Sequence, residues 1–392
     1  MNIYRVGVVT GTRAEYGLLR PLLFKLRDNE KIDFKLIVTG SHLSSKFGNT
    51  KNEIEIDGFK DYYSVPIPMD GDSKVDMALA TGEAIKMFAA LFKKYIPDLL
   101  VVLGDRFEIF AAVSVAHLMG IKVVHIAGGD VTEGAVDDAI RHCITKMSYI
   151  HLPGCEESRK RIIQMGEEPQ RVFNIGEFGI ENCLNTDFLS REELVQSVGF
   201  DGFLSDYSVV TFHPVTMENN TGIEELLELI KAMDAVENMS YLITMANADA
   251  GGREINDKWL EEEKKHDNWK VVTSLGMKRY LSALKHSRLC IGNSSSGLVE
   301  APALRIPTIN IGNRQKGRTS FDSVINCDTS CIDILNAIKI GLSDEWQSKV
   351  KSTINPFGDG TASNQAMKII CEFLESNCES SEKAFYDVEF EV

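Results

Sequence analysis

The chain has 392 residues, 44% hydrophobic and 25% charged, with a formal net charge of −15. That length exceeds what one core usually supports, and the composition is globular throughout. So negative a chain lacks the broad cationic face that nucleic acid or an anionic membrane requires, which excludes both as partners. A small anion held by a local cationic cluster stays open.

The N-terminal run "MNIYRVGVVTG" enters a strand at once, without the basic head, long apolar stretch and cleavage site of a secretory signal. No run approaches membrane-spanning length, so the expected location is the cytoplasm. "YRVGVV", "FKLIVTG", "DLLVVLGD", "KVVHIAGG", "YIHLPG" and "RVFNIG" read as buried parallel strands, because both faces are apolar. Helical patterns over Glu15–Arg27, Val75–Tyr95 and Arg106–Met119 lie between them. This is the strand–helix–strand rhythm of a doubly wound sheet. A polar stretch, "EFGIENCLNTDFLSREEL", breaks the pattern, which resumes with "YSVVTFHP", "SYLITMAN", "WKVVTSLG", "RLCIGN" and "PTINIG".

The expected architecture is therefore α/β: two Rossmann-like doubly wound domains, residues 1–180 and 187–360, facing across a cleft. Residues 361–392 supply a last helix, Asn364–Glu375, and an acidic tail expected to fray. The eight cysteines form no CxxC pair and read as free, mostly buried thiols rather than a metal site.

In open parallel sheets ligands bind outside the carboxyl ends of the strands, so the polar residues after each apolar run are the candidates. "GNSSSGLVE" places Ser294, Ser295, Ser296 and Gly297 at a strand-to-helix turn, where free N–H groups favour a phosphate. Glu300, one turn in, suits ribose hydroxyls. A plain serine cap is the alternative, but three serines between two glycines exceed what capping needs. "GNRQKGR" brings Arg314, Lys316 and Arg318 within five residues, which suits a diphosphate as well as a solvated loop. Arg13, in "GTRAEYG", occupies the first loop after a strand, and "NADAGG" adds Asp249. Neither GxGxxG nor GxxxxGK[ST] occurs, against dinucleotide redox and P-loop chemistry.

"VVLGDRFEIF" ends a strand with Asp105 and Arg106, followed by Glu108. "HIAGGDVTEGAVDDAIRH" adds His125, Asp130, Glu133, Asp137 and Asp138. Crowded carboxylates suit proton abstraction and return, since repulsion and desolvation raise the proton affinity of one. Stabilisation of a helix N-terminus is the alternative for Asp137 and Asp138. "VVTFHPVT" puts His213 at the first strand end of the second half, in a ligand or a structural role.

"GTRAEYGLLRPLL", "LGDRFEIF", "HIAGGDVTEG", "FHPVT", "IGNSSSGLVE" and "INIGNRQKGR", in this order, resemble the hydrolysing UDP-N-acetylglucosamine 2-epimerases. The resemblance extends from the N-terminus to about "NPFGDG". It implies the glycosyltransferase-B fold, a UDP-sugar substrate, no metal or redox cofactor, and a homodimer or homotetramer. It also implies elimination of UDP to a glycal, followed by addition of water. Arg13, Ser294, Ser295, Glu300 and Arg314 match nucleotide-binding positions of that family. Asp105, Asp137 and His213 match catalytic or substrate positions. One position departs: many relatives carry glutamate after "HI", and this chain has Ala127. Asp130, Glu133 or Asp105 then takes the acid–base role, or the pocket admits a bulkier sugar such as that of UDP-N,N′-diacetylbacillosamine.

Overall fold

The computed structural model describes residues 2–44, 50–68, 74–132, 136–214, 222–246, 252–273, 275–318, 320–353, 355–376 and 383–389. The chain divides into two compact units, Met1–Glu181 with Phe357–Val392, and Asn182–Pro356.

The first unit contains β1 (Tyr4–Thr10), β2 (Ile32–Thr39), β3 (Tyr62–Val65), β4 (Leu99–Leu103), β5 (Lys122–Ile126) and β6 (Ile150–Leu152). All pair in parallel, in the order β3-β2-β1-β4-β5-β6. Alternation assigns each strand residue to a face. Val6, Val8, Leu36, Val38, Leu99 and Val101 face one core, with Leu19, Leu22 and Leu26 of helix Arg13–Arg27. Val9, Ile37, Leu100 and Val102 face another, filled by Phe88 and Phe92 and by Ile109 and Val113. With both faces covered, the strands read as continuous apolar runs.

The second unit contains β7 (Tyr207–Thr211), β8 (Ser240–Thr244), β9 (Trp269–Val272), β10 (Leu289–Gly292), β11 (Thr308–Ile311) and β12 (Val324–Cys327). Its parallel order is β12-β11-β10-β7-β8-β9. Numbered within each unit, the two orders are identical. Strand order reverses between β1 and β4 in the first unit and between β7 and β10 in the second, which fixes the ligand crevice of each.

Three features differ from expectation. "RVFNIG" makes only an isolated bridge, His151 to Val172, because β6 beside it is three residues long. The edge strands β3 and β12 carry no strong pattern in the sequence. The tail does not fray at 383–389. Lys383 Nζ donates to the carbonyls of Lys146 and Ser148, both at 2.7 Å, and pairs with Glu167 at 2.6 Å. Tyr386 N–H donates to Gly166 O at 3.0 Å, and the Phe385 ring lies 4.6 Å from Lys146 Nζ. The last helix, Ala362–Glu375, buries Ala362, Ala366, Ile370 and Leu374 in the core shared with helix Arg13–Arg27.

Candidate active site

In the first unit the site is built where β4 and β5 end. Gly104 closes β4 in a left-handed turn, and Asp105 and Arg106 follow. Helix Val136–Met147 brings Asp137, Asp138 and Arg141 to the same place. Arg141 is the centre of the group. Its side chain is 7% exposed and its Nη2 donates to the Asp105 carboxylate. Nη1 donates to Asp130 O at 2.8 Å and lies 3.5 Å from Asp138 Oδ1. Asp138 Oδ1 also accepts from Thr132 N–H at 2.6 Å, tying the loop to the helix.

Asp137 has no such clamp among the described residues, and its carboxyl is pushed up by desolvation and by the neighbouring Asp105 charge, against the pull of Arg106 and Arg141. One carboxylate ion-paired beside another that holds its proton more tightly is how acid and base roles separate. Asp130 is placed otherwise: its carboxylate accepts from Ser158 Oγ, and only its backbone carbonyl reaches Arg141. His125 is buried and structural. It bonds Gly104 O at 2.9 Å and Thr145 Oγ1 at 3.1 Å, and burial pushes its pKa down to about 3. Glu133 lies outside the described residues.

Ala127 continues β5 with φ +59°, its N–H donating to Leu152 O at 3.1 Å. A side chain in the left-handed region costs roughly 1 kcal/mol, and such strain concentrates at functional sites. Arg13, at the first helix start, is exposed and pairs with Glu53 at 2.8 Å. The N–H of Gly11, in the anion position of that loop, donates instead to Glu15 Oε2 at 2.7 Å.

In the second unit Asn293 organises the strand ends. Its side chain accepts from His213 N–H at 2.7 Å and donates to His213 O at 2.8 Å, joining the end of β7 to the end of β10. Its own carbonyl accepts from Arg314 Nη1 at 3.0 Å and Gln315 Nε2 at 2.8 Å. Arg314 is thereby brought to the serine turn; Lys316 and Arg318 are exposed. Close packing of β10 on β7 requires Gly292, where a Cβ would lie 1.9 Å from Thr211 O.

Ser294 caps the turn, accepting from Ser296 N–H at 3.4 Å, and Ser296 Oγ meets Tyr280 OH at 2.6 Å. Ser295 is exposed. The Glu300 carboxyl is raised by desolvation, partly offset by its own N–H and the Ser296 hydroxyl. The ends of β7, β10, β11 and β12 surround a cavity of about 230 Å³ lined by Phe212, Asn293, Gly312, Asn313 and Asp328. Asp249 lies outside the described residues.

Sequence reasoning did not single out Arg141, Asn293 or Gln315. Arg141 carries the one available signal, standing one helical turn after Asp137.

Two Rossmann-like units, each with polar strand ends at its topological switch point, define the glycosyltransferase-B class of α/β protein. The UDP-N-acetylglucosamine 2-epimerase family model matches residues 24–371, and the chain belongs to that family. It is 38% identical over 381 residues to polysialic acid biosynthesis protein P7 of Escherichia coli, covering 97% of this chain and 96% of that one. It is 37% identical over 334 residues to the hydrolysing GDP/UDP-N,N′-diacetylbacillosamine 2-epimerase of Campylobacter jejuni, covering 85% and 86%. Among solved structures, the UDP-N-acetylglucosamine 2-epimerase of Neisseria meningitidis bound to UDP-N-acetylglucosamine superposes with a TM-score of 0.77. The identity is 20%, over 95% of this chain and all of that one.

Proposed function

We propose that this protein is a hydrolysing 2-epimerase that converts UDP-N-acetylglucosamine, or a closely related UDP-N-acetylated hexosamine, to UDP and the free manno sugar. The observation that carries the proposal is the group at the ends of β4 and β5, with Asp105 held by Arg141 and Asp137 raised beside it. A site that only bound an anion would have no use for it. One carboxylate removes the proton on carbon 2 as the carbon 1–oxygen bond to UDP breaks, giving the glycal. Water then adds its oxygen to carbon 1, and a proton returns to carbon 2 on the opposite face.

In the second unit, the serine turn and Arg314 take the diphosphate and Glu300 the ribose. The 230 Å³ cavity, below the ~300–1,000 Å³ of a whole ligand site, accommodates one part of the nucleotide. The hydrolysing outcome draws support from the 37% identical relative, itself named hydrolysing. The place proposed for the reaction is cytoplasmic synthesis of a nonulosonic acid, of the sialic or legionaminic type.

A second reading takes UDP-N,N′-diacetylbacillosamine as substrate. Ala127 favours it, since a methyl group where many relatives carry glutamate leaves room for a second acetamido group. The relatives named for that sugar, at 37% and 33% identity, point the same way. Incubation of the purified protein with each UDP-sugar alone, followed by NMR, tests the proposal. UDP and a free manno sugar are expected, with the faster substrate identifying the sugar. A UDP-linked manno product would mean the non-hydrolysing reaction, and no conversion without an acceptor would mean a transferase.

A further inference from the structure

A second acidic pair lies in the crevice between β1 and β4. Glu15, from helix Arg13–Arg27, is 6% exposed, and Glu108, from helix Phe107–Leu118, is 0% exposed. Arg106 Nε donates to Glu108 Oε1 at 2.7 Å and stands 3.8 Å from Glu15 Oε1. Glu15 Oε1 and Glu108 Oε2 accept no hydrogen bond among the described residues.

The strand ends are shaped to admit this pair. A Cβ on Gly11 would lie 2.6 Å from Glu108 Oε1, and one on Gly40 would lie 2.9 Å from the same oxygen. Two buried carboxylates facing one guanidinium leave one negative charge unbalanced, and burial without compensation is costly.

We propose that Glu15 stays protonated beside Glu108 and that the pair, acting through Arg106, positions its guanidinium for the anionic part of the nucleotide sugar. The inference rests on the proposed function for its ligand, a UDP-sugar, and adds Arg106 as a contact to it. Glu108 fixes the Nε edge, and 39% of the Arg106 side chain stays exposed; the proposal takes the remaining donors to the ligand. Loss of the Glu15 proton puts a second negative charge against the guanidinium and weakens its hold on an anion.

The surrounding charges are few. Arg13, on the same helix as Glu15, is occupied by Glu53, and Asp137 acts on Arg106 from helix Val136–Met147. His42, in the turn after β2, bonds Thr10 and Thr50, and burial pushes its pKa down to about 4, so it stays neutral. Glu15 carries the proton, pushed up to about 8 by burial and then by Glu108.

The test is the KM for the UDP-sugar between pH 7 and 9, where the nucleotide phosphates are already ionised. A group titrating near 8 gives a rise of about tenfold across this range, with kcat changing less. Glu15→Gln, which cannot ionise, should bring the ratio of KM at pH 9 to KM at pH 7 close to one. Glu108→Gln should raise KM throughout, by about tenfold or more, because a charge-assisted bond to Arg106 is lost.

A purely structural pair would lower the melting temperature of both variants and leave the KM profile unmoved. An alkaline rise retained in folded Glu15→Gln overturns the proposal. So does a wild-type profile without a rise, whatever the folding of the variants. If no UDP-sugar turns over, the proposed function fails. The same pH series read as UDP affinity by calorimetry then decides the pair's role separately, by the same two criteria.

Discussion

Arg314 reaches back to the carbonyl of Asn293, whose side chain clamps His213. One guanidinium is thus tied beside the serine turn through its Nη1. A charged hydrogen bond to a ligand is typically worth about 1.5–3 kcal/mol. Arg314→Ala should therefore weaken UDP binding at least about tenfold by calorimetry; unchanged affinity in a folded variant would remove Arg314 from the phosphate site. The serine turn was legible in the sequence because small residues after an apolar run have few other uses. Asn293 and Gln315 were not, since a buried amide bonded to backbone on distant segments leaves no spacing signal. Arg141 was hidden for the same reason: the carboxylate it holds, Asp105, is 36 residues away. Strand-end position alone also did not reveal that the Asp130 carboxylate accepts from Ser158 Oγ.

Central strands and edge strands differ in how plainly they can be read. β1, β4, β7 and β10 are covered on both faces over most of their length, and their sequences are accordingly mostly apolar. β3 and β12 are four residues long with mixed burial, so their polar positions dilute the pattern below recognition. "RVFNIG" shows the reverse error, since its apolar residues pack without a ladder. Lys383 closes the C-terminus of helix Val136–Met147, the helix that carries Asp137 at its other end and Arg141 at its middle. Glu167, 1% exposed, gathers Lys383, Lys146 and His151. Burial would raise its carboxyl, and these three partners hold it below the ordinary range. Lys383→Ala removes one of the three and two carbonyl bonds, so stability should fall by about 1–3 kcal/mol in denaturant titration. No loss would mean that the 383–389 segment is not fastened in solution.

The chain builds one sheet order twice, then returns to its first unit to finish that core with the last helix. The proposed division of labour between the units rests on their chemistry. The second unit offers hydroxyls, N–H groups and a cation at its switch point; the first offers paired carboxylates with buried Arg141 and half-buried Arg106. A net charge of −15 coexists with anion recognition because few cations are needed and each is held locally. The central claim is that the first unit's carboxylates remove and return a proton at carbon 2. Turnover of the UDP-sugar in heavy water, read by NMR, tests it most directly. The claim predicts deuterium at carbon 2 of the released manno sugar, with incorporation slowed about 10²–10⁴-fold in Asp105→Asn and Asp137→Asn. Released sugar that keeps its original proton at carbon 2 would contradict it.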